Sequence, residues 1–277
     1  MRAGPLSNPQ IIELLNRYFV PVTSANEIPD DERVRIYHQF GDKGLGIGDV
    51  HVYVVGPDGA AIAGLDIGSA MESDKEIAFL SKIAKQLHTQ PGPPVFAPHP
   101  QSRAPQVPPD APAIHLVARK LVGRTWNEFP SENWITLSRQ EWDQTLPPVN
   151  AQSKTTWQLP APVATKLAEW IYPQTEDTRR TNRNRVDQAD FRFTLVTLSD
   201  SLARARIDAR VRVRHSFYPG KPAEDFATSD LIGYADFDLA KHQVRRFRLV
   251  THNAEYQGVP FSCSLVSVSQ ETIEAQR

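Results

Sequence analysis

Ala203 to Arg214 reads ARARIDARVRVR, in which Ala203, Ala205, Ile207, Ala209, Val211 and Val213 alternate with Arg204, Arg206, Asp208, Arg210, Arg212 and Arg214. A period of two sends successive side chains to opposite faces of a strand, so this stretch predicts a β-strand with one dry aliphatic face and one charged face. The period recurs on both sides. Phe191, Phe193 and Leu195 alternate with Arg192 and Thr194; Ala235, Phe237 and Leu239 with Tyr234, Asp236 and Asp238; Phe247 and Leu249 with Arg246 and Arg248; Phe261 to Val268 ends the series. Ile114 to Val122 offers a further strand. The expected product is a five- to six-stranded antiparallel sheet, wet on one face. Its dry face needs a cover. Ser138 with Glu141 makes a capping box for a short helix that ends before Pro147, and Pro162 to Tyr172 makes a longer helix with Val163, Leu167, Trp170 and Ile171 on one side. Strands and helices segregated in this way define an α+β domain over 114–270, followed by a tail at 271–277.

That domain is not the whole chain. At 277 residues, the protein is about twice the usual domain size of roughly 100–150 residues. Nine of its 23 prolines fall between Pro91 and Pro112. Proline fixes φ and removes a backbone donor, so residues 89–113 read as an extended linker between two domains. Such strands also bind aromatic grooves, but a spacer is the plainer reading. Net charge is −1, split between −4 over residues 1–90, with 8 Lys+Arg against 12 Asp+Glu, and +3 over the remainder. No global attraction to nucleic acid or to an anionic membrane follows. No apolar run approaches the roughly 18–20 residues that span a bilayer, and the first residues lack the apolar core of a secretory signal. The chain as given reads as soluble, without an address that fixes its localisation.

The first ninety residues show a different order of elements. Ser7 and the first-turn Pro9 are expected to open a helix with Ile11, Ile12, Leu14, Leu15 and Tyr18 at helical spacing. A short strand is expected at Phe19 to Thr23. Asp49 to Val55 is apolar on both faces, as in a central strand, and Gly56-Pro57-Asp58-Gly59 turns it into Ala60 to Leu65. Ser73 with Glu76 suggests a capping box for a helix over Asp74 to Leu87.

Two of these segments carry a resemblance. LSNPQIIELLNRYFVPV, Leu6 to Val22, and VYVVGPDGAAIAG, Val52 to Gly64, followed by the helix at 74–87, resemble the thioredoxin-like fold over residues 4–88. The resemblance implies an α/β N-terminal domain, 1–88, and directs attention to its redox site. Oxidoreductases of this fold attack with a low-pKa thiolate at a helix N-terminus and resolve with a second thiol. Here Ala3-Gly4-Pro5-Leu6 stands where Cys-Gly-Pro-Cys would, and Gly46-Ile47-Gly48-Asp49 lacks the proline that precedes the central strand. The single cysteine, Cys263, lies in the other domain. One thiol closes no intrachain disulfide and builds no thiolate metal cage. The module is read as redox-silent.

Candidate functional residues are few. The ladder Arg204, Arg206, Arg210, Arg212 and Arg214, with Tyr234 on the same predicted face, suits an anionic ligand or a protein partner, since side chains two apart on a strand recur about every 7 Å. Asp208, Asp236 and Asp238 on that face suggest the alternative of a solvated, ion-paired surface. Nucleic acid is not the expected partner, because single-strand binders interleave stacking aromatics with their charges. Trp126, Trp134 and Trp170, with His215 and His252, form a candidate pocket in the C-terminal domain, against the plainer reading of core packing. The glycines of GDKGLGIG, Gly41 to Gly48, lead into a strand rather than a helix, which argues for a loop and against a phosphate cradle. No histidine spacing matches a metal motif, no cofactor is implied, and no catalytic residue is assigned. The expected function is a non-catalytic binding or scaffolding protein. The alternatives are an enzyme or small-ligand binder with its site in the C-terminal domain, and a thiol-disulfide oxidoreductase relative shortened at its N-terminus.

Overall fold

The computed structural model describes residues 4–22, 38–41, 52–95, 105, 107, 111–122, 128–173, 184–215 and 225–275. They belong to two compact units, residues 1–99 with 124–129 and residues 100–123 with 130–277. The expected linker is therefore shared. Its first residues belong to the first unit, where Gly92 N donates to Arg17 O at 2.8 Å and Val95 N to Asn16 O at 3.0 Å.

In the first unit α1, Pro9–Tyr18, starts one residue later than Ser7 would cap it. Asn8 is the cap, accepting from Gln10 N at 2.9 Å, and Pro9 holds the first turn, where its missing N–H costs nothing. Phe19 to Val22 forms no strand. The expected strand over 49–55 appears from Val52, as β1, Val52–Val55, paired antiparallel with β2, Ala61–Leu65. The turn closes through Gly59 N to Gly56 O at 2.9 Å and Ala60 N to Asp58 Oδ1 at 3.0 Å, with Gly59 at φ 80. A short helix, α2, Ile67–Ala70, leads to α3, Ser73–Gln86. Ile11, Phe40, Val54, Leu80 and Ile83 are buried in this unit, and the Phe40 and Tyr53 rings lie 4.5 Å apart. Residues 23–37 and 42–51, including most of the glycine-rich run, lie outside the described residues.

The capping box expected at the start of α3 does not form. Glu72 is the cap residue, but its carboxylate accepts from Lys75 Nζ at 2.8 Å rather than from a backbone N–H of the first turn, while the Ser73 hydroxyl donates to the Glu128 carboxylate. Glu76 is 0% exposed, and neither carboxylate oxygen has a hydrogen-bond partner. Burial therefore pushes its pKa up to about 7.

The second unit is organised by one sheet. Eight strands pair antiparallel in the order β4-β3-β10-β9-β8-β7-β6-β5. They are β3, Ala113–Lys120; β4, Ser131–Thr136; β5, Thr156–Gln158; β6, Asn184–Leu198; β7, Leu202–His215; β8, Asp225–Asp238; β9, Gln243–Tyr256; and β10, Val259–Val268. The sheet thus exceeds the expected five or six strands by β4 and the three-residue β5, both too short and too mixed in polarity to show a period. β6 begins at Asn184 rather than near Asp190. Its pairing with β7 is irregular between Val186 and Gln188, so Asp187 is an extra residue that breaks the alternation on which the sequence reading relied.

One face of this sheet is dry. Ala203, Ala205, Ile207, Ala209, Val211 and Val213 of β7 are all buried, together with Phe191 and Phe193 of β6, Phe237 of β8 and Phe247 of β9. Each fully buried phenylalanine contributes roughly 1.5–3 kcal/mol. The cover is α4, Arg139–Asp143, over β9 and α5, Ala161–Ala168, over β6 and β7. The Ser138 capping box forms as expected, with Glu141 N donating to Ser138 Oγ at 3.2 Å and Ser138 N to Glu141 Oε2 at 2.6 Å. The other face carries the arginine ladder. At one corner it is covered: the expected tail holds α6, Gln270–Ala275, whose Ile273 is buried with Val107 and Ala113 beside Trp134 and Val268.

Two consequences are measurable. The carboxyl of Glu76 keeps its proton longer in the folded chain than in the unfolded one, so its stabilising contribution is full below about pH 4.5 and is lost as pH rises through about 7. Glu76→Gln removes that loss, and at pH 8 the variant's first unit should be more stable than the parent by roughly 2–3 kcal/mol in urea titrations. In β8, a Cβ on Gly233 would stand 1.9 Å from Arg248 O, a backbone atom that cannot give way. Gly233→Ala should destabilise the second unit by about 1–3 kcal/mol or more in the same titration.

Candidate functional site: the outer face of the sheet

Register decides which charges meet. Across β6, β7 and β8, Arg204 stands opposite Asp236, Arg206 opposite Tyr234 and Thr194, Asp208 opposite Arg192, Arg210 opposite Asp190 and Asp230, Arg212 opposite Gln188 and Thr228, and Arg214 opposite Arg185 and Phe226. The ladder arginines are largely engaged. Arg204 Nε donates to Asp236 Oδ1 at 2.6 Å, Arg206 Nη2 to Asp208 Oδ1 at 2.6 Å, Arg210 Nε to Asp230 Oδ1 at 2.9 Å and Arg214 Nε to Asp187 Oδ2 at 2.8 Å. The carboxylate partners raise the pKa of Arg204, Arg206 and Arg210, and the Arg210 bond holds Asp230 below the usual carboxylate range. Pairs this exposed are screened by water and salt, so their main effect is to fix side chains in place.

Arg212 differs from its neighbours. Its guanidinium lies 4.2 Å from the Phe226 ring centroid, a cation–π contact, and its Nε is 4.0 Å from Asp187 Oδ2, beyond hydrogen-bond reach. A depression of about 250 Å³ opens beside it, lined by Gln188, Arg210, Thr228, Asp230 and Asn253.

Toward β4 the outer face becomes less polar. Tyr234 is 47%, Val250 43% and Val266 39% exposed, and Ile232 and Val117 are half-buried. In register, Tyr234 pairs with Arg248, Arg248 with Val266, Val266 with His115 and His115 with Trp134. Trp134 stacks on His115 at 4.4 Å, and His115 Nε2 lies 3.0 Å from Glu132. Arg248, Arg246, Arg192 and Arg119 are exposed, with no carboxylate in bonding reach among the described residues.

The residues expected to share a pocket are placed apart. Trp126 lies outside the described residues. Trp134 is on the outer face, while Trp170 packs against the core beneath the helices. His215 is buried, with Nδ1 2.6 Å from Asn184 Oδ1 and its ring 5.2 Å from Tyr172. His252 is exposed at the irregularity in β9, where Asp230 pairs with Asn253 but Leu231 with Thr251. The remaining tryptophans serve the core: Trp142 Nε1 donates to Pro112 O at 3.0 Å, and Trp157 Nε1 to Thr145 O at 3.2 Å while stacking on Phe193. Sequence reasoning missed Asp187, Gln188 and Phe226. Asp187 falls at the bulge, and Phe226 gives no sign in sequence that it lies opposite Arg214 and stacks against Arg212. Among the described residues, no three His, Cys, Asp or Glu side chains are grouped to hold a metal ion, and no helix is long and apolar enough to cross a membrane. No protein-family model, curated protein or solved structure matches the chain.

Cys263 sits in β10 on the dry face, 1% exposed, and burial pushes its thiol pKa far up. Its reaction with a thiol reagent at pH 8 should be at least a hundredfold slower in the native protein than in 6 M guanidinium. Comparable rates in the two states would contradict its burial.

Proposed function

We propose that this chain is a non-catalytic binding or scaffolding protein, built on a thioredoxin-like module without redox cysteines and a second, sheet-based unit that makes the contact. The observation that carries this reading is the outer face of the eight-stranded sheet. It presents Tyr234 and Val266 exposed on either side of Arg248, with Val250 two residues further along the same strand and Arg248 lacking a carboxylate partner among the described residues, on strands paired on both sides. Aromatic and arginine side chains on a rigid platform are the usual anchors of protein contacts. The thioredoxin-like part rests on the order α1, hairpin, α3 in the first unit, and its lack of redox cysteines on Ala3-Gly4-Pro5-Leu6 in the sequence, read against Cys-Gly-Pro-Cys.

Quantitative co-purification from the source cells tests the contact surface. The full chain is compared with a Tyr234→Glu, Val250→Glu double variant of unchanged thermal stability. At least a tenfold loss of captured partner in the variant is expected; equal capture by both proteins would overturn the assignment. Disulfide reduction of insulin by the full chain should stay at the uncatalysed rate, and turnover above it would restore the oxidoreductase alternative.

A further inference from the structure

We propose that the outer face also holds a specific oxyanion site at Arg212, where Arg185, Arg212 and Arg214 surround a single carboxylate, Asp187. This rests on reading that face as the contact surface and gives it a ligand chemistry.

Among the described residues the charges there do not balance locally. Arg214 takes Asp187 Oδ2 through Nη2 at 2.7 Å and Nε at 2.8 Å, and Arg185 Nε lies 3.3 Å from Asp187 Oδ1. Arg212 is left at 4.0 Å from Oδ2. Three guanidinium groups thus share one carboxylate whose side chain is only 15% exposed. Among the described residues the other acidic groups nearby are occupied or distant. Asp230 accepts from Arg210 at 2.9 Å and Asn253 at 3.5 Å, Asp190 accepts from Gln188 at 2.6 Å, and Glu255 lies beyond Thr228, two strands from Arg212. Arg212 therefore has no hydrogen-bond acceptor among the described residues, although its Nε is buried. Leaving a buried donor of this kind unpaired is unfavourable, more so when it is charged.

The site is pre-formed. Phe226 packs against the guanidinium, and the Arg212 side chain remains 44% exposed. The adjoining depression of about 250 Å³ adds the Thr228 hydroxyl, the Asn253 amide and Arg210, whose Nη groups are not used by Asp230. That volume is below the roughly 300–1,000 Å³ of drug-sized pockets. It suits one carboxylate or phosphate group, free or presented by a larger partner. Planar guanidinium forks recognise both by paired N–H donation.

The test is a titration of the ¹⁵N-labelled full chain, followed by NMR, with sodium phosphate or sodium acetate at fixed ionic strength and pH 7. Saturating shifts at the Gln188 and Thr228 amides are expected, with a midpoint on the order of 1–10 mM for the preferred anion. Saturation with phosphate identifies a phosphate group as the ligand, and saturation with acetate a carboxylate. Arg212→Gln should weaken the response at least tenfold, Arg212→Lys less, and Arg246→Gln should leave it unchanged. The lysine variant keeps the charge, so it serves if the glutamine variant loses its sheet dispersion. Linear, non-saturating shifts with both anions, or equal affinity in the Arg212 variants, would overturn the site. Such a failure is separate from that of the wider reading, because the Tyr234 and Val250 experiment alters none of these residues.

Discussion

Everything in the second unit depends on the register of β7 between β6 and β8. With a side-chain period of two, a slip of one residue would exchange Ala203, Ala205, Ile207, Ala209, Val211 and Val213 for five arginines and Asp208 on the face beneath α4 and α5. Burying those charges without partners is prohibitive. The aliphatic half of the alternation is small, chiefly alanine and valine, which lets α5 lie close over β6 and β7. The charged half is then forced outward. It is an obligatory product of the fold before it is anything else.

What the outer face does with those charges follows from its neighbours. Where the ladder meets Asp208, Asp230 and Asp236 at regular register, each arginine finds a carboxylate and the surface is neutralised. At the β6 bulge the count fails among the described residues, because Asp187 serves three arginines, and positive charge is left over there beside a depression. Toward β10 and β3 the face turns apolar until α6 covers the corner. A sheet that would otherwise be a uniform ion-paired surface thus carries two local departures from balance, one electrostatic and one hydrophobic.

The alternating strands were legible in sequence because each obeys one strong rule over eight or more residues. The Ser138 capping box and the Gly56 to Gly59 turn were legible for the same reason: their chemistry is local. The bulge at Asp187 was not, since a single inserted residue erases the period that would announce it. β4 and β5 exist because a neighbour offers a free edge, not because Ser131–Thr136 or Thr156–Gln158 prefer to be extended. Glu76 at helical spacing looked like a capping partner, yet its burial depends on how the first unit closes around α3. For the site, the arginines and Tyr234 could be named from their period, whereas Phe226 and Gln188 become neighbours of Arg212 only through pairing across three strands.

The central claim, that β7 divides a sealed face from an open one, is tested by thiol labelling in a Cys263→Ser background. A single cysteine is placed at Ala205 in one protein and at Arg206 in another. The register predicts rapid labelling of the native chain at position 206, and labelling at 205 only after unfolding. Equal rates at the two positions, or the reverse order, would contradict it.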